Sequence, residues 1–544
     1  MAKVAILGGG VAGLSAAHEL AERGFDVAVY EAKPIWGGKA RSMGKPGSGI
    51  GGRRNLPGEH GFRFFPGFYK HLPDTMKRIP FGNNPQGVFN NLVGTTQIGL
   101  LRTDGDPILL PANFPNSIGE WMTAIHEMFG GPNLNIPDEE SEFFAHQLFV
   151  ILTSCTERRL AEYEKIAWWE FIDADNKSEE YRKMMAIGLT RSLVAMRAQV
   201  ASTRTVGDIL LQLIINQMTP GVMTDRVLNG PTNDVWIHPW IAYLKQLGVD
   251  MHLGAAFKSL QTDGKRITSA TVTLDGKDVD VPADYYICAV PVEVMQRLLT
   301  DPIKNAAPSL ANIDKLGTEW MNGIQFYLAE DVPILRGHSI YLDSAWALTS
   351  ISQHQFWDKV DLSQFGDGRV KGIISVDISD WFSDGDRIVK KPAHDCTLQE
   401  IKDEVWAQLQ AHLKEGGRKQ LEDANLVDCH IDPDIVYPRN DAVNAGNAEP
   451  LLVNTIDTWQ YRPEAAVEIP NLFLASDYVR TYTDLATMEG ANEAARRAVN
   501  AILDASGSNA KKCDVWPLHE PIVFGPLREY DYWRFKIGWS HGTI

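Results

Sequence analysis

The sequence predicts an α/β fold: a Rossmann-like parallel sheet with an attached β-meander, joined to an α+β domain. Three observations predict it. An apolar run, Val4–Leu7, leads through Gly8-x-Gly10-x-x-Gly13 into a helical segment of about residues 12–22, and a second apolar run, Val27–Tyr30, ends on Glu31. This order of strand, glycine turn, helix, strand and acid is the first βαβ unit of a Rossmann-like sheet. Residues 267–281 then alternate in β fashion, with turns at Asp263-Gly264 and Asp275-Gly276. A chain of 544 residues is also too long for one simple core, so two or more lobes are expected.

Each glycine of the opening turn has its own task. Gly8 permits the tight turn, Gly10 lets backbone N–H groups approach a pyrophosphate at the positive helix N-terminus, and Gly13 lets helix and strand pack closely. Gly24 is a C′-type stop for the helix. Glu31, eighteen residues after Gly13, is placed to accept hydrogen bonds from both ribose hydroxyls of an adenosine. It would repel a 2′-phosphate, which argues against NADP. Just past it, Ala32-Lys33-Pro34-Ile35-Trp36-Gly37-Gly38-Lys39-Ala40-Arg41-Ser42 forms a second glycine turn. This stretch resembles the double-glycine segment of flavoproteins in the amine oxidase and carotenoid desaturase superfamily. There the Gly-Gly backbone and a nearby cation meet the FAD pyrophosphate. The resemblance implies FAD here, with Ala32, Gly37 and Gly38 along it and Lys39 and Arg41 as the cations. Lys39 stands where many members have Arg.

The composition, 44% hydrophobic and 22% charged, is that of a globular enzyme. A net charge of −17 disfavours nucleic acid and anionic membrane as partners. No apolar run reaches the length of a spanning helix, and the chain enters its first strand at once, leaving no room for a signal peptide. Cys155, Cys288, Cys396, Cys429 and Cys513 are scattered, with neither metal-ligand spacing nor a disulfide framework. A cytoplasmic protein without a metal site is the expectation.

Glu59-His60-Gly61-x-x-x-Phe65-x-Gly67-x-Tyr69 resembles the segment of plant-type and cyanobacterial-type phytoene desaturases that passes the isoalloxazine ring. In that family the glycine, here Gly61, allows close backbone approach. His60 replaces a common Thr, and an imidazole near a flavin is able to move protons. His60 and Glu59 are therefore candidate catalytic residues, with a structural hydrogen-bonding role as the alternative for His60. Residues 81–117 carry turn signals (RTDGDP, PANFPNS) around short strands. Several helices are expected over residues 140–218, where Phe143, Phe144, Leu148 and Ile151, and then Ile209, Leu210, Leu213 and Ile214, keep helical spacing. Trp168, Trp169, Met184, Met185, Met196 and Met218 add bulk. In resembling flavoenzymes such an insertion walls an apolar substrate cavity.

The flavin lobe resumes near Gly230 with a helix over 239–247 and strands over 249–253 and 255–260; Phe257 stands where relatives hydrogen-bond adenine through backbone. Residues 283–294 resemble the desaturases' strand ending in Ala-x-Pro-Val, which places Ala289 at the cofactor. Residues 301–447 should supply an antiparallel sheet, with strands over 322–328 and 370–376 and a helix on Leu398, Ile401, Val405, Leu409 and Leu413. Many amine oxidases of the superfamily carry a lysine in a strand of this lobe, and Asn322–Leu328 has none. The implied organisation is FAD-binding parts at 1–80, 230–300 and 450–510, a mostly helical cap at 81–229, a substrate domain at 301–449 and an aromatic tail at 511–544.

Residues 470–491 resemble the third flavin signature. In the desaturases the acid, here Asp477, contacts the ribityl chain. The Met488-Glu489-Gly490 turn, just after Thr487, starts a helix whose N-terminal amides face the flavin pyrimidine, which places Thr487 and Met488 at the cofactor. Glu489 is a candidate proton acceptor or a helix N-terminal acid. Trp516, Phe524, Tyr530, Tyr532, Trp533, Phe535 and Trp539 in the tail should wrap the body or bury a homo- or hetero-oligomeric contact; docking to a membrane surface or an electron-acceptor protein is the alternative. The resemblance implies an FAD-dependent dehydrogenase of an apolar substrate, an isoprenoid hydrocarbon such as a carotenoid, squalene or limonene. Its electrons would pass to an electron-transfer protein or a quinone. An amine or amino-acid oxidase, and an FAD-dependent isomerase or inactive subunit of a paired complex, are the alternatives.

Overall fold

The computed structural model describes residues 1–103, 108–109, 136–218, 225–415, 418–437 and 445–542. Most of the turn-rich stretches RTDGDP and PANFPNS, and the side chain of Met218, lie outside the described residues.

The central sheet is built from three distant parts of the chain. Strand β1 (Lys3–Leu7), helix α1 (Val11–Ala21) and strand β2 (Asp26–Glu31) come from the N-terminus. Strands β3 (Asp250–Leu253) and β4 (Tyr285–Cys288) follow the helical region. Strand β5 (Leu472–Leu474) and helix α2 (Met488–Ser506) close the set. The strands run parallel in the order β3-β2-β1-β4-β5. Val4, Ala5, Ile6 and Leu7 are fully buried, as a strand covered on both faces requires. Helices α1 and α2 pack together, and both bring small buried residues to the shared core, Ala16 and Ala17 from α1 and Ala494, Ala495 and Ala498 from α2. Gly24 after α1 and Gly507 after α2 take the left-handed conformation that ends a helix. The meander follows β3 as antiparallel strands Ala255–Thr262, Ile267–Leu274 and Lys277–Val281.

Among the described residues the second sheet has seven strands, with Asn322–Leu328 and Gly372–Ile378 paired antiparallel so that Gly323 faces Asp377. The strand read over 370–376 thus runs two residues further along, and this brings Asp377 into the sheet. Gln97–Leu101, from the stretch read as part of the helical cap, also belongs to this sheet and pairs parallel with Gly337–Tyr341. Helices Asp138–Thr153 and Thr203–Met218 pack over it around Phe144, Leu148 and Ile151.

The tail divides. Arg158 holds Asp531 through Nε at 2.9 Å, Trp516 N–H donates to His71 Nε2 at 2.9 Å, and Phe524 is fully buried, so this part wraps the body. Tyr530, Trp533 and Trp539, by contrast, are more than half exposed on or just past helix Gly525–Lys536. Among the described residues no helix is long and apolar enough to cross a membrane.

Candidate functional site

The β1–α1 turn and the double-glycine turn close side by side with no side chain between them. A Cβ on Gly8 would lie 2.4 Å from Ala289 O, and one on Gly13 would lie 1.9 Å from Gly8 O. Gly37 and Gly38 have φ of 113° and 55°, Gly37 N–H donates to Gly9 O at 3.0 Å, and a Cβ on Gly38 would meet Gly10 Cα at 2.9 Å. Gly10 caps α1 without a side-chain hydrogen bond, and the first turn of α1 holds no acid. Its leading amides are thus left for an anion. Glu31 is fixed at the end of β2: Gly9 N–H donates to Oε2 at 2.7 Å and Lys33 N–H to Oε1 at 2.8 Å. Burial pushes its carboxyl upward against these two bonds.

The remaining frame residues surround this cradle. Ala289 N–H donates to Leu7 O at 2.8 Å, which sets the β4 end beside Gly8. Phe257 is half-buried next to a bulge in its strand. Asp477 Oδ1 accepts from the Ser476 hydroxyl at 3.2 Å, and its carbonyl accepts from Arg462. Thr487 caps α2 by accepting from Gly490 N–H at 3.0 Å, with Met488 as the first helical residue. Ala32 is exposed. A side-chain-free cradle at a helix N-terminus, with an acid at the ribose position, fits a dinucleotide such as FAD. Gly8, Gly10, Gly13, Gly37, Gly38 and Glu31 would hold its ADP half.

The two expected pyrophosphate cations are engaged elsewhere. Lys39 Nζ pairs with Glu293 at 3.2 Å and donates to the Pro450 carbonyl. Arg41, buried, pairs with Glu449 at 2.8 Å and with Asp434, and donates to Gly38 O at 2.8 Å. Lys39 and Arg41, read as pyrophosphate cations, thus already face carboxylates: Glu293 of the flavin part for Lys39, and Asp434 and Glu449 of the other lobe for Arg41. Lys33 joins the group, with Asp434 at 2.9 Å and Glu449 at 2.6 Å.

His60 completes it. Its Nδ1 lies 2.7 Å from Asp432 and 3.4 Å from Asp434, and Asn322 donates to Asp432 at 2.7 Å. The donor atoms of His60, Asp432 and Asp434 lie within 4.8 Å of one another, a metal-ligand spacing. Arg41 and Lys33, however, already occupy Asp434, and Asn322 donates to Asp432. Burial alone would depress the His60 imidazole, but Asp432 and the other acids outweigh it and raise its pKa. Burial likewise acts upward on Asp434, yet His60, Arg41 and Lys33 hold its carboxyl well below the usual range. With His60 protonated, three cations face three acids. The acids therefore favour the protonated imidazole of His60.

Segment 57–61 is docked on strand Asn322–Leu328. Gly323 N–H donates to His60 O at 2.9 Å, Gln325 bonds both the N–H and the carbonyl of Glu59, and Tyr327 OH donates to Pro57 O at 2.8 Å. Gly61 and Gly323 allow this approach: a Cβ on Gly61 would lie 2.7 Å from Asp377 Oδ1, and one on Gly323 2.9 Å from Gly61 Cα. Glu59 itself accepts from Thr232 N–H at 3.1 Å and Thr232 Oγ1 at 3.0 Å, with Arg63 at 4.0 Å. Burial pushes its carboxyl up to about 7 against Arg63 and Thr232. Asp377, on the other side of Gly61, is likewise raised by burial to about 7, with Arg63 and His60 opposing, and its Oδ1 has no hydrogen-bond partner. Sequence reading missed Asp377. Its signal was there: a lone acid in the apolar run Gly372–Ile378, all of it buried.

Glu489 is not available as a proton acceptor. Its Oε1 accepts from Lys70 N–H, His71 N–H and His71 Nδ1 at 2.7–2.8 Å, and its Oε2 from Leu72 N–H at 2.9 Å. It caps helix His71–Arg78. Burial would raise the carboxyl, but His71 and the amides hold it below the usual range.

Fold and frame together define a dinucleotide-dependent oxidoreductase. The chain belongs to the family of flavin containing amine oxidoreductases, which it matches over residues 11–503, and it is an FAD-dependent enzyme. A probable zeta-carotene desaturase from Synechococcus elongatus is 24% identical over 92% of this chain and 99% of its own length. A 15-cis-phytoene desaturase from the same organism is 23% identical over 92% and 96%. Among solved structures, cyclohexylamine oxidase from Brevibacterium oxydans superposes with a TM-score of 0.62 at 13% identity over 93% of this chain and 99% of that one. A putrescine oxidase bound to putrescine gives 0.61 at 14% identity over 92% and 99%.

Proposed function

We propose that this enzyme dehydrogenates an isoprenoid hydrocarbon, removing hydride from an allylic C–H. The observation that carries this reading is the similarity to carotene desaturases along nearly the whole of both chains. The solved amine oxidases show the fold alone. Strand Asn322–Leu328, free of lysine, supports the same side.

Bound FAD supplies the hydride acceptor. An allylic carbon losing hydride leaves a delocalised cation, which an apolar, aromatic-walled cavity tolerates. Loss of a neighbouring proton yields a new double bond, and capture by water yields an alcohol. Of the two raised acids flanking Gly61, Asp377 suits the proton role better, because one oxygen has no partner and burial lifts its pKa to about 7. Glu59 is engaged by Thr232.

The test is anaerobic mixing of the flavin-loaded enzyme with limonene, a carotene precursor and simple amines. A hydrocarbon should bleach the flavin band, and Asp377→Asn should slow that bleaching by about a hundredfold. Bleaching by amines alone, with peroxide on admission of air, would overturn the reading in favour of an amine oxidase.

A further inference from the structure

We propose that the cleft between helix His71–Arg78, Phe89 and Trp516 binds a small ring-bearing organic anion. Its volume is about 310 Å³, at the lower end of ligand sites. Three cations line it, Lys70, Lys77 and Arg226. Among the described residues none of them is paired with a carboxylate. Lys70 donates to the Pro517 carbonyl at 3.1 Å, Lys77 lies 4.8 Å over the Phe89 ring, and Arg226 gives Nε and Nη2 to the carbonyls of Phe65 and Pro66. Arg226 is only 7% exposed, and among the described residues its hydrogen bonds use Nε and Nη2 but not Nη1. An unpaired guanidinium this deeply buried, in a chain of net charge −17, calls for an anion.

The nearby acids do not fill that need. Asp74, in the wall, accepts from Arg496 at 2.7 Å and lies 3.5 Å from Arg78. Asp225 lies beyond ion-pair distance of Arg226 and is raised to about 7 by burial. Glu489 is spent on the amides of residues 70–72 and on His71.

The cleft is also built for a ring. Tyr69, Phe89 and Trp516 line it, and the Lys77 and Arg226 charges already sit over the Phe89 face. A planar ring can stack among these side chains while its carboxylate or phosphate reaches the three cations. Tyr69 contacts the side chain of Thr487, the cap of α2. An occupant would therefore lie one side chain away from the cofactor frame.

Calorimetric titration of the flavin-loaded, full-length enzyme with phenyl phosphate, benzoate, inorganic phosphate and phenol tests this. At least one ring-bearing anion should bind with 1:1 saturation, and phenol and inorganic phosphate should bind at least about tenfold more weakly. The tighter of phenyl phosphate and benzoate identifies the anionic group. Lys70→Glu and Lys77→Glu, both at exposed positions, and Trp516→Leu should each weaken binding by about tenfold without moving the melting temperature of the two lysine variants. Failure of both ring anions to bind, inorganic phosphate binding as tightly as phenyl phosphate, or indifference to both charge reversals would overturn the proposal.

Discussion

The two sides of the cofactor site keep their shape by different means. Around the ADP cradle the structure relies on missing side chains: Gly8, Gly13 and Gly38 each stand where a Cβ would meet main-chain atoms inside 3 Å. Where segment 57–61 meets the other lobe, it relies on charge: Arg41, Lys33 and His60 against Asp432, Asp434 and Glu449. The first side tolerates no added atom, because main chain cannot swing away as a side chain can. The second tolerates changes of size but not of charge balance, because a buried ion left alone costs several kcal/mol. Specificity for the cofactor and coupling of the lobes thus rest on separable features.

The largest effect should come from breaking the first side. In Gly13→Ala the new methyl would lie 1.9 Å from Gly8 O, and relief requires moving the turn itself. The variant should purify without flavin, if it accumulates at all, as read from flavin absorbance per chain. Normal flavin content would mean that the two turns do not form the cradle.

Breaking the second side should cost stability before it costs cofactor. Arg41→Ala leaves Asp432, Asp434 and Glu449 with only Lys33 and His60, and removing one member of a buried ion group typically costs about 3–5 kcal/mol. Denaturant unfolding should show that loss, with part of it recovered when Glu449→Gln restores the balance. If Arg41→Ala unfolds like the parent while losing flavin, Arg41 serves the pyrophosphate and the comparison between the two sides fails.

The same contrast explains what could be read in advance. The cradle was legible because its features are local: Gly8, Gly10, Gly13 and Glu31 fall within one βαβ unit, and Gly37-Gly38 follows it directly. Strand Asn322–Leu328 was legible to its ends. The charge cluster was not, since His60 and Asp432 are 372 positions apart and only folding brings them to 2.7 Å. Reading Lys39 and Arg41 as pyrophosphate cations was sound for an isolated turn; the carboxylates that claim them arrive from residues 293, 434 and 449. Glu489 was legible as a helix N-terminal acid, but the helix it caps is His71–Arg78 as well as its own, a pairing no spacing reveals. The aromatic tail was half legible: composition announced burial, and Trp533 and Trp539 stayed exposed.

Glu59 and Asp377 sharpen the comparison through pH. Both are buried, and both are raised to about 7, well above an unfolded carboxylate. The folded state therefore binds more protons than the unfolded chain between about pH 4.5 and 7, so stability is fully present below that window and falls as pH rises through it. For Glu59 the loss is on the order of 3 kcal/mol. The raised His60 acts in the same direction, since its protonated form is favoured in the fold. Glu59→Gln keeps a partner for both Thr232 N–H and Thr232 Oγ1 but cannot ionise. Urea midpoints at about pH 5 and pH 8 should converge in this variant relative to the parent, and Asp377→Asn should close more of the gap. Parallel pH slopes in parent and variants would show that Arg63 keeps both carboxylates charged. The acids around Gly61 would then form a second fixed ion group like that of Arg41, rather than a pair poised to exchange protons.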